Sequence, residues 1–247
     1  MRTYLKKLGS ASIVVMAVVA SSAMASGKVT GADYGNGESI FKNGKGDTPA
    51  CNSCHGATGL GDDNMGTPRL AGQLYQFLAK QLDDFANDKR QDTTMYVMNA
   101  NAKGMSVQDR KDVSAYLGSL GRSFSGKHLQ EASGGSDMAA LKEGGVEVGV
   151  AHMGKAIVNL GHVARGIPAC LSCYTHNVRA VEPMYPRIGE QKSVYLVNQM
   201  KKFRVHSRTN EPMKHIKVVA KPLRAEHIIN LATYLNADPQ PTIGTSL

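Results

Sequence analysis

Cys51-Asn52-Ser53-Cys54-His55 sets two thiols three positions apart and places an imidazole directly after the second. Two intervening residues bend the backbone so that both sulfurs face one way, and the histidine is carried beneath whatever flat group the sulfurs hold. This is the spacing of covalent c-type haem attachment: the thiols bond to the porphyrin edge and a neutral imidazole reaches the iron. A redox dithiol, half of a zinc site and a disulfide are the competing uses of such a pair. A thioredoxin-type dithiol opens a helix after an apolar strand. Here Lys42-Asn43-Gly44-Lys45-Gly46-Asp47-Thr48-Pro49 precede it, and these are loop residues. Cys51 and Cys54 are therefore read as haem attachment points and His55 as an iron ligand.

Upstream, Gly37 to Phe41 has the makings of a short helix leading into this loop. Downstream, Gly56-Ala57-Thr58-Gly59-Leu60-Gly61-Asp62 lets backbone lie close to a flat ligand. Pro68 to Gln73 then introduces a helix whose apolar positions Leu74, Phe77, Leu78, Leu82 and Phe85 keep helical spacing. A further helix is expected from Ser106, an N-cap with Asp109 three residues on, through Val113, Tyr116 and Leu117 to Gly121.

Much of this order returns 118 residues later. Pro68-Arg69 recurs as Pro186-Arg187, Gln73 as Gln191, Gln81 as Gln199, Phe85 as Phe203, Arg90 as Arg208 and Tyr116-Leu117 as Tyr234-Leu235. So many coincidences in one register make the chain a tandem repeat of one helical domain. A second cysteine pair, Cys170 and Cys173, lies 119 residues after the first, a single-residue slip that a loop absorbs. The domain boundaries follow: 26–122, a Ser/Gly-rich linker over 123–137, and 138–247.

Iron in each repeat needs a ligand opposite the histidine, and a thioether is the soft, neutral choice for an electron-transfer haem. Met95 and Met213 are the methionines at matching positions, each five residues after an arginine; Met98 is the rival of the first. The second pair departs from the first. Cys170-Leu171-Ser172-Cys173-Tyr174-Thr175-His176 puts tyrosine where the proximal histidine belongs. Three outcomes compete: no haem in the second domain, haem with His176 reaching round, or haem ligated by Tyr174.

The first 25 residues have the form of an export signal, with Arg2, Lys6 and Lys7 before an apolar run from Leu8 to about Ala20, and Ala23-Met24-Ala25 at the cleavage positions. No later segment suits a bilayer span, so a periplasmic location is expected, with peripheral membrane association left open. Loss of the leader lowers the formal net charge from +9 to +6. The lysines are scattered and no aromatic platform accompanies them, which excludes nucleic acid as partner. The absence of tryptophan and an aromatic fraction of 6% leave two cores short of apolar mass that a buried haem would supply.

Taken together, CNSCHG (51–56), PRLAGQ (68–73), KQLDDF (80–85), Arg90 with MYVM (95–98), SVQDRKDVSAYL (106–117), RGIPACLSC (165–173), YPRIGEQ (185–191), RTNEPM (208–213) and NLATYL (230–235) resemble the periplasmic di-haem cytochromes of the c4 type. The resemblance implies an all-α protein of two tandem class I cytochrome c domains related by a pseudo-two-fold axis. It also implies His/Met-ligated haem c and electron transfer from a quinol-oxidising complex to a terminal oxidase or similar acceptor of the respiratory chain. Tyr174 and Glu190, which stands where the first repeat has Gly72, depart from that pattern. The expected function is an electron carrier, not an enzyme. The alternatives are a haem enzyme acting on a peroxide or sulfur compound at an unusual second haem, and a mono-haem carrier with a haem-free docking domain.

Overall fold

The computed structural model describes residues 28–92, 96–120, 138–174, 184–211 and 214–237. The export signal, the linker, Gly121, Met95, Met213 and His176 lie outside these residues. The first repeat contains α1 (Tyr34–Asn43), the single turn α2 (Asn52–His55), α3 (Tyr75–Ala86), α4 (Val97–Lys103) and α5 (Val107–Leu120). The second opens with α6 (Met138–Glu143) and continues through α7 (Ala151–Leu160), α8 (Ser193–Arg204), α9 (His215–Ala220) and α10 (Ala225–Ala237), with 3-10 turns at Val163–Arg165 and Cys170–Ser172. Among the described residues there is no strand, only isolated bridges such as Lys45 with Thr48 and His162 with Ile167.

The duplication is closer than the sequence alone conveys. Helices α3, α4 and α5 return as α8, α9 and α10 at an offset of 118, and α1 returns as α7 at 117. The cysteines return at 119. The register shift therefore has two parts: the second repeat gains two residues between Gly161 and Cys170, where the Val163–Arg165 turn sits, and loses one between Cys173 and Pro186.

Each repeat is closed by its first helix crossing its last. At the crossing a Cβ on Gly37 would stand 2.3 Å from the Asp112 carbonyl oxygen, and one on Gly154 would stand 2.1 Å from that of Asn230. Glycine is required at both positions because backbone touches backbone there. The start of α1 is held by the Asp33 carboxylate, which accepts from the Asn36 N–H at 3.0 Å. The expected cap at Ser106 is present: Ser106 and Asp109 exchange side-chain-to-backbone hydrogen bonds of 3.2 and 3.1 Å. Apolar cores fill the angle between crossing helices, with Ile40, Phe41, Leu78, Val113 and Leu117 in the first repeat. Ile157, Val158, Leu196, Ile228 and Leu231 do the same in the second.

The two repeats meet through a reciprocal pair of amides. Gln73 donates to the Arg187 carbonyl at 3.0 Å and accepts from the Arg187 N–H at 2.7 Å. Gln191 does the same to Arg69 at 3.1 and 2.7 Å, which gives the contact its pseudo-two-fold symmetry. One departure in the sequence is explained here. Glu190 adopts the left-handed conformation of Gly72, φ 54° against 74°, and reaches across to Arg69 with a 2.6 Å ion pair. In the other half, Arg187 donates to the Gly72 carbonyl at 2.7 Å. The half-buried ion pair offsets the strain, about 1–2 kcal/mol, of a side chain at positive φ.

Gly154→Ala is expected to lower unfolding stability by roughly 1–3 kcal/mol, because an added methyl must push α7 off α10. The same holds for Gly37→Ala. Urea denaturation monitored by circular dichroism measures both, and an unchanged midpoint would show that the helices can part without cost.

Candidate haem-binding sites

Cys51 ends the loop that follows α1, and the single turn of α2 then carries Cys54 and His55 to one side. His55 N–H bonds to the Cys51 carbonyl at 3.0 Å, and the Thr67 hydroxyl donates to the Cys54 carbonyl at 2.6 Å, so the turn is tied to the loop beyond it. The His55 ring is buried, 6% exposed, with Nδ1 3.1 Å from the Pro68 carbonyl. A carbonyl can only accept, so Nδ1 carries the proton and Nε2 keeps its lone pair. Burial lowers the His55 pKa, with the Pro68 bond opposing, so the imidazole is neutral at physiological pH. A neutral ring with its tautomer fixed from behind is what a metal ligand requires.

The second repeat rebuilds the same turn around a different side chain. Tyr174 N–H bonds to the Cys170 carbonyl at 3.1 Å, as His55 does to Cys51, and the Tyr174 ring is buried at 4% exposure. Burial, with the neighbouring thiols and Tyr185, pushes the Tyr174 phenol well above its usual range. The residue is thus placed like the proximal histidine but held as a neutral phenol.

All four cysteines are free of disulfide bonds. Among the described residues no three histidine, cysteine or acidic side chains gather as a metal cluster. Burial pushes the Cys51 and Cys170 thiols up to about 11, the opposite of what a reactive dithiol needs.

Both turns open onto one cavity of about 590 Å³ that runs between the repeats. Cys51, Cys54, His55 and Met98 line its first end, and Cys170, Cys173 and Tyr174 its second. Arg90 and Arg208 also line it. Arg90 donates to Gln81 at 2.8 Å, to the Tyr195 hydroxyl at 3.0 Å and to Gln199 at 3.2 Å. Arg208 donates to Gln199 at 2.7 Å, Gln81 at 3.1 Å and Asn210 at 3.0 Å. Each guanidinium also lies 4.5 Å over the phenylalanine five residues before it. Among the described residues neither hydrogen-bonds to a carboxylate. Burial raises the Tyr195 phenol, but the two flanking cations outweigh it and bring it down to about 8.

An apolar cavity lined by both cysteine pairs and by two guanidiniums whose partners among the described residues are neutral fits a flat, hydrophobic ligand that carries its own carboxylates. Haem has that form: the thiols would attach its vinyl groups and the arginines would offset the charge of its propionates.

Comparison with known proteins agrees. The chain is 31% identical over 198 residues to a thiosulfate dehydrogenase electron acceptor of Thiomonas intermedia, covering 80% of this chain and 82% of that one. It belongs to the di-haem cytochrome c4 family. A cytochrome c4 of Pseudomonas aeruginosa is 28% identical over 187 residues, covering 75% of this chain and 82% of its own. The cytochrome c family model matches residues 35–121, the first repeat. Among solved structures, a thiosulfate dehydrogenase of Marichromatium purpuratum superposes with a TM-score of 0.69 at 26% identity, covering 84% of this chain; this chain spans 41% of that one's length. The Acidithiobacillus ferrooxidans cytochrome c4 gives 0.59 at 25% identity, covering 76% of this chain and 98% of that one. The chain is thus a c-type cytochrome and an electron carrier of all-α, tandem-domain architecture.

The sequence singled out the cysteines, His55 and the exchange at Tyr174, and the structure brings each pair to the cavity with its following ring. It did not foresee that Gln81, Gln199, Arg90 and Arg208 form one network across the repeats, although their recurrence at 118 was the available signal. Arg90→Met removes one cation beside the cavity. A charge some ~10 Å from a redox centre at an effective dielectric of ~20 is worth about 1–2 kcal/mol, or roughly 40–80 mV for one electron. The midpoint potential of one haem is therefore expected to fall by that amount in a spectroelectrochemical titration at low salt, and a rise would contradict the assignment.

Proposed function

We propose that this protein is a periplasmic electron carrier holding two covalently attached haems, one in each repeat, and passing electrons between respiratory complexes. Cys51 and Cys54 would attach the first haem, and His55 and Met95 would be the ligands of its iron. Cys170 and Cys173 attach the second, for which Met213, Tyr174 and His176 are the ligand candidates in the sequence. Haem supplies the ferric/ferrous couple, and the chain supplies everything that tunes it. The Pro68 carbonyl holds His55 in one tautomer, the cavity walls exclude water, and Arg90 and Arg208 meet the propionate charge. The observation that carries this reading is the single cavity with a cysteine pair at each end and a guanidinium from each repeat between them.

The export signal places the mature chain, from about Ser26, in the periplasm, and among the described residues no helix is long and apolar enough to cross a membrane. Its partners are redox proteins. Two relatives, from Thiomonas intermedia and Stutzerimonas stutzeri, are named thiosulfate dehydrogenase electron acceptors. They favour a second reading in which the electrons come from a dehydrogenase acting on a sulfur compound.

Pyridine haemochrome quantitation of the exported protein is expected to give two haems per chain; one haem would leave the second repeat as a haem-free docking module. In the first repeat, Met95→Ala is expected to abolish the thioether-to-ferric-iron charge-transfer band assigned there. Its survival in Met95→Ala and loss in Met98→Ala would transfer the role to Met98.

A further inference from the structure

The second repeat lost a histidine at position 174, and the structure places another on the same cavity. Three wall positions of the first repeat, His55, Thr67 and Val97, correspond to Tyr174, Tyr185 and His215 of the second, and all six line the cavity. The first set carries one imidazole, on the turn that follows the cysteines. The second set also carries one, but at the start of α9, in the segment that includes Met213. Val97 to His215 is therefore a change from an apolar side chain to a good iron ligand on a wall that otherwise keeps its backbone course: Tyr96 and Lys214, which precede them, share the left-handed conformation at φ 57° and 55°.

The ring is also supported from behind. His215 Nδ1 lies 2.9 Å from the Tyr185 hydroxyl, and the Tyr185 ring packs 5.9 Å from that of Tyr174. When Nδ1–H donates to the phenol oxygen, the lone pair sits on Nε2. This repeats the arrangement of His55, whose Nδ1 is engaged by the Pro68 carbonyl at 3.1 Å. The Pro68 carbonyl can only accept and so fixes the tautomer of His55, whereas the Tyr185 hydroxyl can donate or accept; the contact holds the His215 ring plane, and iron taken at Nε2 would select the tautomer whose Nδ1–H donates to the phenol oxygen. Nothing in the first repeat corresponds to the Tyr185–His215 pair, since threonine and valine stand there. Both partners stand in the repeat that has tyrosine, not histidine, after its cysteine pair.

We propose that His215, through Nε2, is the axial ligand supplied by the α9 side to the iron of the second haem, displacing Met213 from that role, with Tyr185 as its positioning residue. The inference rests on the proposed attachment of a haem to Cys170 and Cys173. Imidazole binds both ferric and ferrous iron without changing its own charge, so the second haem would keep a ligand suited to electron transfer although tyrosine stands where the proximal histidine belongs.

The test uses the full-length exported holoprotein. Pyridine haemochrome quantitation should give two haems per chain in the wild type and in His215→Ala. The near-infrared thioether-to-iron band of the wild type should have the amplitude of one thioether-ligated haem per chain, and Met213→Ala should leave it unchanged. His215→Ala should alter the ferric electron paramagnetic resonance signal of one haem only, and added imidazole should restore it. A single haem in the wild type would remove the second haem and this inference with it. Two haems with a thioether band of double amplitude, halved in Met213→Ala, would overturn the inference alone and leave the di-haem reading standing. So would a His215→Ala spectrum identical to wild type.

Discussion

Two helix crossings, α1 over α5 and α7 over α10, carry the rest of the structure. Each brings backbone against backbone at a glycine, with no room for a single added carbon at Gly37 or Gly154. Close approach fixes the angle between the helices, and the apolar residues beside the glycines, Ile40 and Phe41 or Ile157 and Val158, are driven into the space that remains. The loop leaving α1 or α7 must then start from one place, so the cysteine turn is delivered to one wall of the cavity. The Gly44 and Gly161 backbones repeat the point: a Cβ on either would strike the carbonyl oxygen of the loop residue before the proline, Thr48 or Ile167, at 2.4 or 2.3 Å.

Duplication explains why the interface can be polar and buried at once. Gln73 and Gln191 each satisfy a backbone N–H and carbonyl of the other repeat, so no donor or acceptor is stranded by their burial. The same symmetry brings like charges together, because Arg90 meets its own counterpart, Arg208. Their hydrogen bonds go to Gln81, Gln199 and Tyr195, and the two guanidiniums outweigh burial to lower the Tyr195 pKa. A network of that kind favours an anionic group in the cavity, and it does so for both repeats from a single location.

The repeats have diverged where the first relies on charge. Lys45 and Asp109 form an ion pair of 2.5 Å that ties the haem loop to the last helix, and Asn36 and Ser106 add hydrogen bonds to the same carboxylate. Burial opposes ionisation of Asp109, but these partners outweigh it and hold the carboxyl well below the usual range. In the second repeat the equivalent positions are His162 and His227, whose rings pack 5.6 Å apart. Burial lowers the His227 pKa, with Glu226 opposing and Arg165, His162 and Arg224 adding to the effect. The first loop is thus held by a charge pair that weakens as pH falls through the carboxylate range. The second is held by a neutral contact that weakens on histidine protonation.

The sequence by itself determined which side chains converge at the first turn and the existence of two repeats. A Cys-x-x-Cys-His run specifies its own local geometry, because three side chains within five residues need only one turn to converge. Recurrence at 118 residues needs no structure to be seen. Helix spans were legible for the same reason: Leu78, Leu82 and Phe85 share a face by periodicity, and Ser106 with Asp109 caps by spacing. What only the tertiary structure decided are contacts between residues distant in the chain. Glu190 could be seen to replace Gly72, but its tolerance of a left-handed backbone depends on Arg69, which lies in the other repeat. The two arginines could be seen to recur, but that they meet is a consequence of the two-fold packing. Tyr174 was visible as a tyrosine in the histidine's place, whereas no motif marks His215, which folding sets on the same cavity with the Tyr185 hydroxyl beside its ring. Local spacing fixes what a turn can bind; the packing of one repeat on the other fixes which distant side chains share that ligand.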